Sequence, residues 1–132
     1  EGGPHDSLLA ARPDHPLVRG IEPFVVHDEL YLAEMHGENE VLLHTFFGGR
    51  AQRGYPQDEW RGDEPRPVLY LHGHGDGAVL YLTLGHCRGR YDMLPLMQEY
   101  PRVGRCSWES PVYYELLRRG IRWAARLDEA RT

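Results

Sequence analysis

Two short polar motifs, each at the end of an apolar run, contain the side chains of this sequence best suited to acid–base chemistry. They are His27-Asp28-Glu29-Leu30-Tyr31 and Leu84-Gly85-His86. Open α/β sheets build their ligand sites where strands end, so we expect both motifs at such a place. Imidazole and carboxylate groups form general acid–base pairs, and they are also the ligands that zinc and related metals prefer.

Glu29 and His86 are the candidate catalytic residues, and as a pair they are also the candidate metal ligands. If the first motif continues as a strand, His27 and Glu29 share one face and Asp28 points to the other. Gly85 lets the backbone turn or approach a ligand closely just before His86. A divalent metal such as zinc is the one cofactor that this pattern suggests.

Structural roles are the alternatives for these side chains. Glu29 can equally be a loop residue that forms only hydrogen bonds, and a structural role is the more common one for a residue such as His27. Asp76 is typical of a turn. Three further histidines are interpreted as hydrogen-bonded or solvated side chains: His44, His72 and His74. The candidate acid–base pair is therefore limited to Glu29 and His86.

Cys87 lies in a segment, Gly85-His86-Cys87-Arg88-Gly89, that matches the form of a nucleophile elbow. Such an elbow is a turn from a strand into a helix, and the helix dipole helps to activate the thiolate. The residues that follow, through Pro95, contain no helix start in phase with the elbow. We therefore do not expect Cys87 to be a catalytic nucleophile.

Composition restricts the class of protein. The 132 residues suffice for one domain, and the net charge of -5 gives no electrostatic reason to expect nucleic acid or an anionic membrane as a partner. All fifteen basic residues are arginine, which excludes Schiff-base and P-loop lysine mechanisms within this sequence. The two cysteines and the absence of an apolar stretch of about 20 residues predict a soluble, cytoplasmic protein, although one disulfide stays open.

The elements that would position these residues are mostly strands. Apolar runs predict strands over residues 23–26 and 41–47, and the second run is typical of a sheet covered on both faces. Residues 48–66 carry Gly, Arg, Asp, Glu and Pro with little periodicity, which predicts a long loop or lid. Two further strands, 67–72 and 78–84, flank a glycine-rich turn and predict a β-hairpin.

A helix is predicted at the end of the sequence. Ser110 is a suitable N-cap, Pro111 suits the first helical position, and apolar residues recur at helical spacing through Ala125. Gly120 inside this helix suggests close packing against another element. Residues 1–20 are interpreted as broken chain around a short apolar cluster and do not resemble the start of a complete domain.

Four segments, in order across residues 14–125, carry a resemblance to a known family. They are DHPLVRGI (14–21), HDELY (27–31), GAVLYLTLGH (77–86) and RGIRWAA (119–125). In order and rough spacing these segments resemble the ThuA-like (trehalose utilisation) family. The resemblance implies an α/β fold, the flavodoxin-like three-layer arrangement of the class I glutamine amidotransferase-like superfamily. It further implies that residues 1–132 form a single domain that lacks its N-terminal half, and a parallel sheet with an uncovered edge.

The resemblance also implies a function and a wider set of site residues. Glu29 and His86 correspond to site positions of the family, with His27, Asp28 and Tyr31 beside them as substrate-binding residues. The family is associated with trehalose and related disaccharides through keto-sugar intermediates, and it generally lacks the amidotransferase triad. This sequence differs in one respect, because Cys87 stands where the family commonly has an acidic residue.

Two functions of different classes remain open. The first is a protein of carbohydrate metabolism, in which Glu29 and His86 act on a polyol or keto-sugar directly or through the metal. The alternative is a non-catalytic sugar-binding or interaction module of a larger protein. Glutamine-dependent amide transfer through Cys87 is the least favoured reaction. The expected partner is a small sugar, with no nucleic acid and no membrane, and a homo-oligomer is left open.

Overall fold

The computed structural model describes residues 6–50, 59–99 and 103–127. Within these ranges the chain forms five β-strands, a single turn of 3-10 helix and one α-helix. In chain order they are β1 (Asp6–Ala10), β2 (Phe24–Val26), β3 (Asn39–Arg50), β4 (Glu59–His74), β5 (Gly77–Leu82), the 3-10 helix (Cys106–Glu109) and α1 (Pro111–Ala124). No helix among these residues is both long and apolar enough to cross a lipid bilayer.

All five strands belong to one antiparallel sheet with the order β2-β1-β3-β4-β5, which curls into a half-barrel. The expectation of a flavodoxin-like, three-layer α/β domain of the glutamine amidotransferase-like type is therefore wrong. Parallel neighbours need a crossover connection, usually a helix, between successive strands. In the described residues α1 is the one α-helix, and it follows the last strand instead of joining two strands. The parallel sheet expected with that fold is wrong as well, because all the pairs of neighbouring strands are antiparallel.

The apolar run over residues 41–47, which suggested a sheet covered on both faces, lies in β3 and is explained by an irregularity in the pairing of that strand. The pairing of β3 with β4 shifts register on both sides of Leu43, and Leu42 and Leu43 are both completely buried. A β-bulge of this kind breaks the strict alternation of faces, so neighbouring residues can both be buried. A continuous apolar run therefore does not require helices on both sides of the sheet.

The strands predicted at 23–26 and 41–47 are confirmed as β2 and part of β3. The loop predicted over 48–66 is wrong at both of its ends, because β3 continues to Arg50 and β4 already begins at Glu59. Pairs such as Phe47 with Glu64 extend the ladder through this region. The remaining part of the predicted loop, 51–58, lies outside the described residues.

The predicted hairpin and C-terminal helix are both present. Strands β4 and β5 pair from Leu69–Leu82 to His74–Gly77, with Gly75 at a positive φ of 55° in the turn. Helix α1 has Ser110 at its N-cap and Pro111 in its first turn, although the Ser110 side chain makes no capping hydrogen bond. A Cβ atom on Gly120 would lie 3.1 Å from Leu80, which confirms the close packing expected at this glycine.

The core lies between the sheet and α1. Its buried side chains are Leu8, Leu17, Val18, Leu42, Leu43, Val68, Leu69 and Leu116. Three of these come from the first 20 residues, which the sequence had suggested were broken chain. Strand β1 lies inside the sheet between β2 and β3, so this segment is part of the core.

Candidate functional site

The candidate site lies where the segments that follow the two edge strands of the sheet meet. Strand β2 forms one edge and β5 the other, and the chain leaves β2 toward Asp28 and leaves β5 toward Gly85. The Asp28 carboxylate accepts hydrogen bonds from the backbone N–H groups of Gly85, at 2.9 Å, and His86, at 3.2 Å. The curl of the sheet thus brings the two predicted motifs into direct contact. We call this contact between the segment after β2 and the segment after β5 the seam.

A buried serine holds the other side of the Asp28 carboxylate. Ser107, in the 3-10 helix, is completely buried and donates to Asp28 Oδ2 from its backbone N–H, at 3.4 Å, and from its hydroxyl. The next residue, Trp108, donates from its indole N–H to the carbonyl oxygen of Gly85 at 2.8 Å. Asp28 therefore serves to fix the backbone that presents His86. The strand alternation expected for residues 27–29 does not apply, because β2 ends at Val26.

Glu29 and His86 meet at the seam, with an arginine as the third member. Oε1 of Glu29 lies 3.1 Å from Nε2 of His86 and 2.7 Å from the guanidinium of Arg88. The Glu29 side chain is 49% exposed, whereas those of His86 and Arg88 are 18% and 22% exposed. The carboxylate is therefore the part of this group most open to a ligand, and the two basic side chains orient it from behind.

The imidazole of His86 has different surroundings at its two nitrogens. Nε2 is buried and lies 3.1 Å from Oε1 of Glu29, but these two atoms are not aligned as a hydrogen bond. Nδ1 lies 3.5 Å from the hydroxyl of Tyr31. The structure thus brings Glu29, His86 and Tyr31 together, three of the five residues selected from the sequence. Asp28 fixes the backbone before His86 through its hydrogen bonds to Gly85 and His86. His27, the residue before Asp28, is exposed.

Two residues of the site, Arg88 and Ser107, were not identified from the sequence. Arg88 is held by backbone hydrogen bonds in both directions with Gly104, and its guanidinium also contacts the sulfur of Met93. Arg88 could have been found from the sequence. It lies two residues after His86, and residues two apart in an extended chain share a face. Ser107 carried no local signal, because its contact with Asp28 spans 79 residues.

The two cysteines lie close to this group but differ in environment. Cys87 is exposed and Cys106 is half-buried, and both are free thiols. Burial raises the pKa of Cys106, and the nearby carboxylates of Asp28 and Glu29 raise it further. After Cys87 the chain forms the bridge of Arg88 with Gly104 and then a turn. Cys87 therefore does not occupy the strand-to-helix elbow that would activate a thiolate.

The site residues do not fit a zinc ion. Catalytic zinc takes three protein ligands and keeps one position for water, whereas Glu29 and His86 provide two donors. The described residues contain no group of three or more His, Cys, Asp or Glu side chains that could hold a metal. The Arg88 guanidinium also lies 2.7 Å from the Glu29 oxygen that a cation would need. Glu29 and His86 therefore suit proton transfer better than metal binding.

Comparisons of this chain with models of protein families, with curated proteins and with solved structures found no significant match in any of the three. The resemblance of the four sequence segments to the ThuA-like family therefore stays a prediction.

Proposed function

We propose that this protein acts on a carbohydrate, a polyol or keto-sugar, with Glu29 and His86 as its acid–base pair. The observation that carries the proposal is the contact of Glu29 Oε1 with His86 Nε2 at 3.1 Å, made by residues 57 positions apart at the seam. Imidazole beside carboxylate is a common general acid–base arrangement. Glu29 is the catalytic residue that meets the substrate, because its carboxylate is the exposed member of the pair.

The surroundings of Glu29 support a role in proton transfer. The contacts of its carboxylate with His86 and Arg88 both use Oε1. Oε2 is thus the oxygen that can take a proton from a sugar hydroxyl or from the carbon next to a keto group. In the second case the electron pair left on that carbon moves into the carbonyl and gives an enolate. His86 positions the carboxylate, with its Nε2 3.1 Å from Oε1.

A sugar is favoured over other hydroxyl-bearing ligands by the sequence. The support comes from the segments that resemble the ThuA-like family, whose expected ligands are trehalose and related disaccharides. The fold that the resemblance implied has been corrected, so the support is limited to the residues of the site. The proposal includes a cytoplasmic location, which the two free thiols favour.

The test is binding and turnover of defined sugars by the intact chain. Trehalose, glucose, sorbitol and a 3-keto derivative of glucose are titrated by calorimetry. For the 3-keto derivative, exchange of the hydrogen on the carbon next to the keto group is also followed in deuterated water. We expect Glu29→Gln to abolish proton exchange while sugar binding is reduced less than about tenfold. His86→Ala should lower exchange by about a hundredfold.

Two exposed residues away from the seam provide matched controls. Glu22→Gln and His74→Ala make the same chemical changes at exposed positions and should leave both measurements unchanged. Sugar binding without exchange in the wild-type chain would favour the alternative, a non-catalytic sugar-binding module. If none of the four probes binds, the proposed function is wrong.

A further inference from the structure

A second concave region lies next to the seam, on tyrosine-rich surface. It is a cavity of about 140 Å³. We call it the tyrosine cavity, and its lining residues are Tyr31, Leu32, Ala33, Met35, Pro67, Tyr70, Tyr81 and Thr83. None of these eight side chains is an acid, a lysine, an arginine or a histidine. The cavity therefore suits a neutral ligand.

Tyr31 connects the tyrosine cavity with the acid–base pair. Its hydroxyl lies 3.5 Å from His86 Nδ1, while the same residue lines the cavity. Thr83, which also lines the cavity, lies three residues before His86 along the chain. A ligand held at Glu29 can thus extend past Tyr31 into the cavity without leaving the protein surface.

The aromatic rings of the cavity are ordered and accessible. Tyr70 and Tyr81 stack with their centroids 5.4 Å apart and an interplanar angle of 21°. Tyr31 and Tyr81 are each 51% exposed, which is high for large apolar rings. Exposed aromatic surface beside a cavity is typical of a binding site. Burial and the neighbouring Tyr81 raise the pKa of Tyr70, so its hydroxyl stays protonated and can donate a hydrogen bond.

The volume of the cavity sets the size of its occupant. An apolar cavity of about 150 Å³ is known to accept benzene, so about 140 Å³ corresponds to one six-membered ring. A tyrosine presents an apolar ring with a polar tip. A pyranose matches that lining, because its C–H faces are apolar and its hydroxyl groups lie around the rim. A charged ring would lose its hydration with no opposite charge in the lining.

We infer that the tyrosine cavity is a subsite for a neutral six-membered sugar ring that is covalently joined to the sugar held at Glu29. The inference rests on the proposed function, and it adds the place of the second ring, in the cavity lined by Tyr31, Tyr70 and Tyr81. The ring in the cavity contributes affinity through Tyr31, Tyr70 and Tyr81 and takes no part in proton transfer.

The test compares glucose with trehalose, maltose and phenyl glucoside on the intact chain, by calorimetry. We expect at least one disaccharide to bind about tenfold more tightly than glucose. Tyr81→Ala should remove most of this advantage, whereas Tyr81→Phe should keep it. Tyr91→Ala is the matched control, because Tyr91 is 58% exposed and does not line the cavity.

Each other outcome has a distinct meaning. If glucose binds and no disaccharide binds more tightly, the cavity is not a sugar subsite, while the proposed function stands. Equal losses for glucose and disaccharide in Tyr81→Ala would also overturn the subsite. Tighter binding of phenyl glucoside than of any disaccharide would identify an aromatic group as the occupant and overturn the sugar ring. If no sugar binds, the proposed function is wrong, and the subsite that rests on it is wrong as well.

Discussion

Gly85 lies at a position of the seam where the backbone conformation and the available space both restrict the residue type. It has a positive φ of 113°, and its backbone N–H and C=O both form hydrogen bonds, with Asp28 and Trp108. A Cβ atom at this position would overlap the hydroxyl of Tyr113, which is itself buried. Both the conformation and the space therefore require glycine immediately before His86.

Gly85→Ala should lower the free energy of unfolding by about 3 kcal/mol, because a strained backbone and overlap with a buried ring add together. Gly20→Ala is the control, since Gly20 also has a positive φ, of 74°, but no atom lies within 4 Å of its added Cβ. That variant should lose only about 1 kcal/mol. Urea denaturation measures both, and equal losses would show that the contact with Tyr113 contributes nothing.

At the scale of elements, local signals and long-range pairing contributed differently to the fold. The β4–β5 hairpin and α1 could be predicted from turn chemistry, capping residues and periodicity, all of which act within a few residues. Strand β1 could not, because five residues flanked by turn-forming types become a strand only through pairing with β2 and β3. The outer ends of β3 and β4 were missed for the same reason.

Proline shows why the local signal failed in β4. Pro65 belonged to the predicted loop, yet it pairs opposite Phe46 within the antiparallel ladder. Local signals also could not predict whether neighbouring strands are parallel or antiparallel, because this depends on which strands pair in space. At the site, Glu29 and His86 could be selected by residue type, whereas Arg88 and Ser107 depended on contacts made by distant segments.

Helix α1 contains an ion-pair group that should give the protein a defined acid response. Glu115 accepts hydrogen bonds from Arg118 and Arg119, which lower the pKa of its carboxyl to about 2. Arg119 also donates to the carbonyl oxygens of Leu17 and Arg19, so the group ties α1 to the segment after β1.

A carboxyl whose pKa is lower in the folded than in the unfolded state stabilises the fold above the unfolded pKa. The contribution of Glu115 should therefore be complete near pH 6 and disappear as the pH falls from about 5 to about 2. In Glu115→Gln, unfolding midpoints in urea should depend less on pH across this window. Glu22→Gln, at an exposed position, should keep the wild-type slope. Parallel pH curves for wild type and Glu115→Gln would contradict the assignment.

At the scale of the whole molecule, one carboxylate joins the two edges of the sheet. Asp28 binds backbone groups on the far edge and on the 3-10 helix, so three segments distant in sequence depend on it. Such a link also restricts access to the unpaired edges, which otherwise tend to pair with other chains.

Asp28→Ala should remove the acceptor of these hydrogen bonds and lower the free energy of unfolding by about 3 kcal/mol. The same variant should increase hydrogen exchange at the amides of Gly85, His86 and Ser107 more than at the amides of the β4–β5 hairpin. Asp14→Ala, at an exposed position, is the control and should alter neither measurement. Uniform faster exchange in all strands would mean that Asp28 stabilises the fold without specifically closing the seam.

The position of the seam makes the acid–base pair sensitive to distant parts of the sheet. Between β2 and β5 lie four strand-to-strand contacts, and each adds its own rotation of about 20 to 25°. The separation of Glu29 and His86 depends on all four rotations together, so small changes at several contacts can add up. A substitution that changes the twist of β3 or β4 by a few degrees can therefore separate the two side chains without touching either of them.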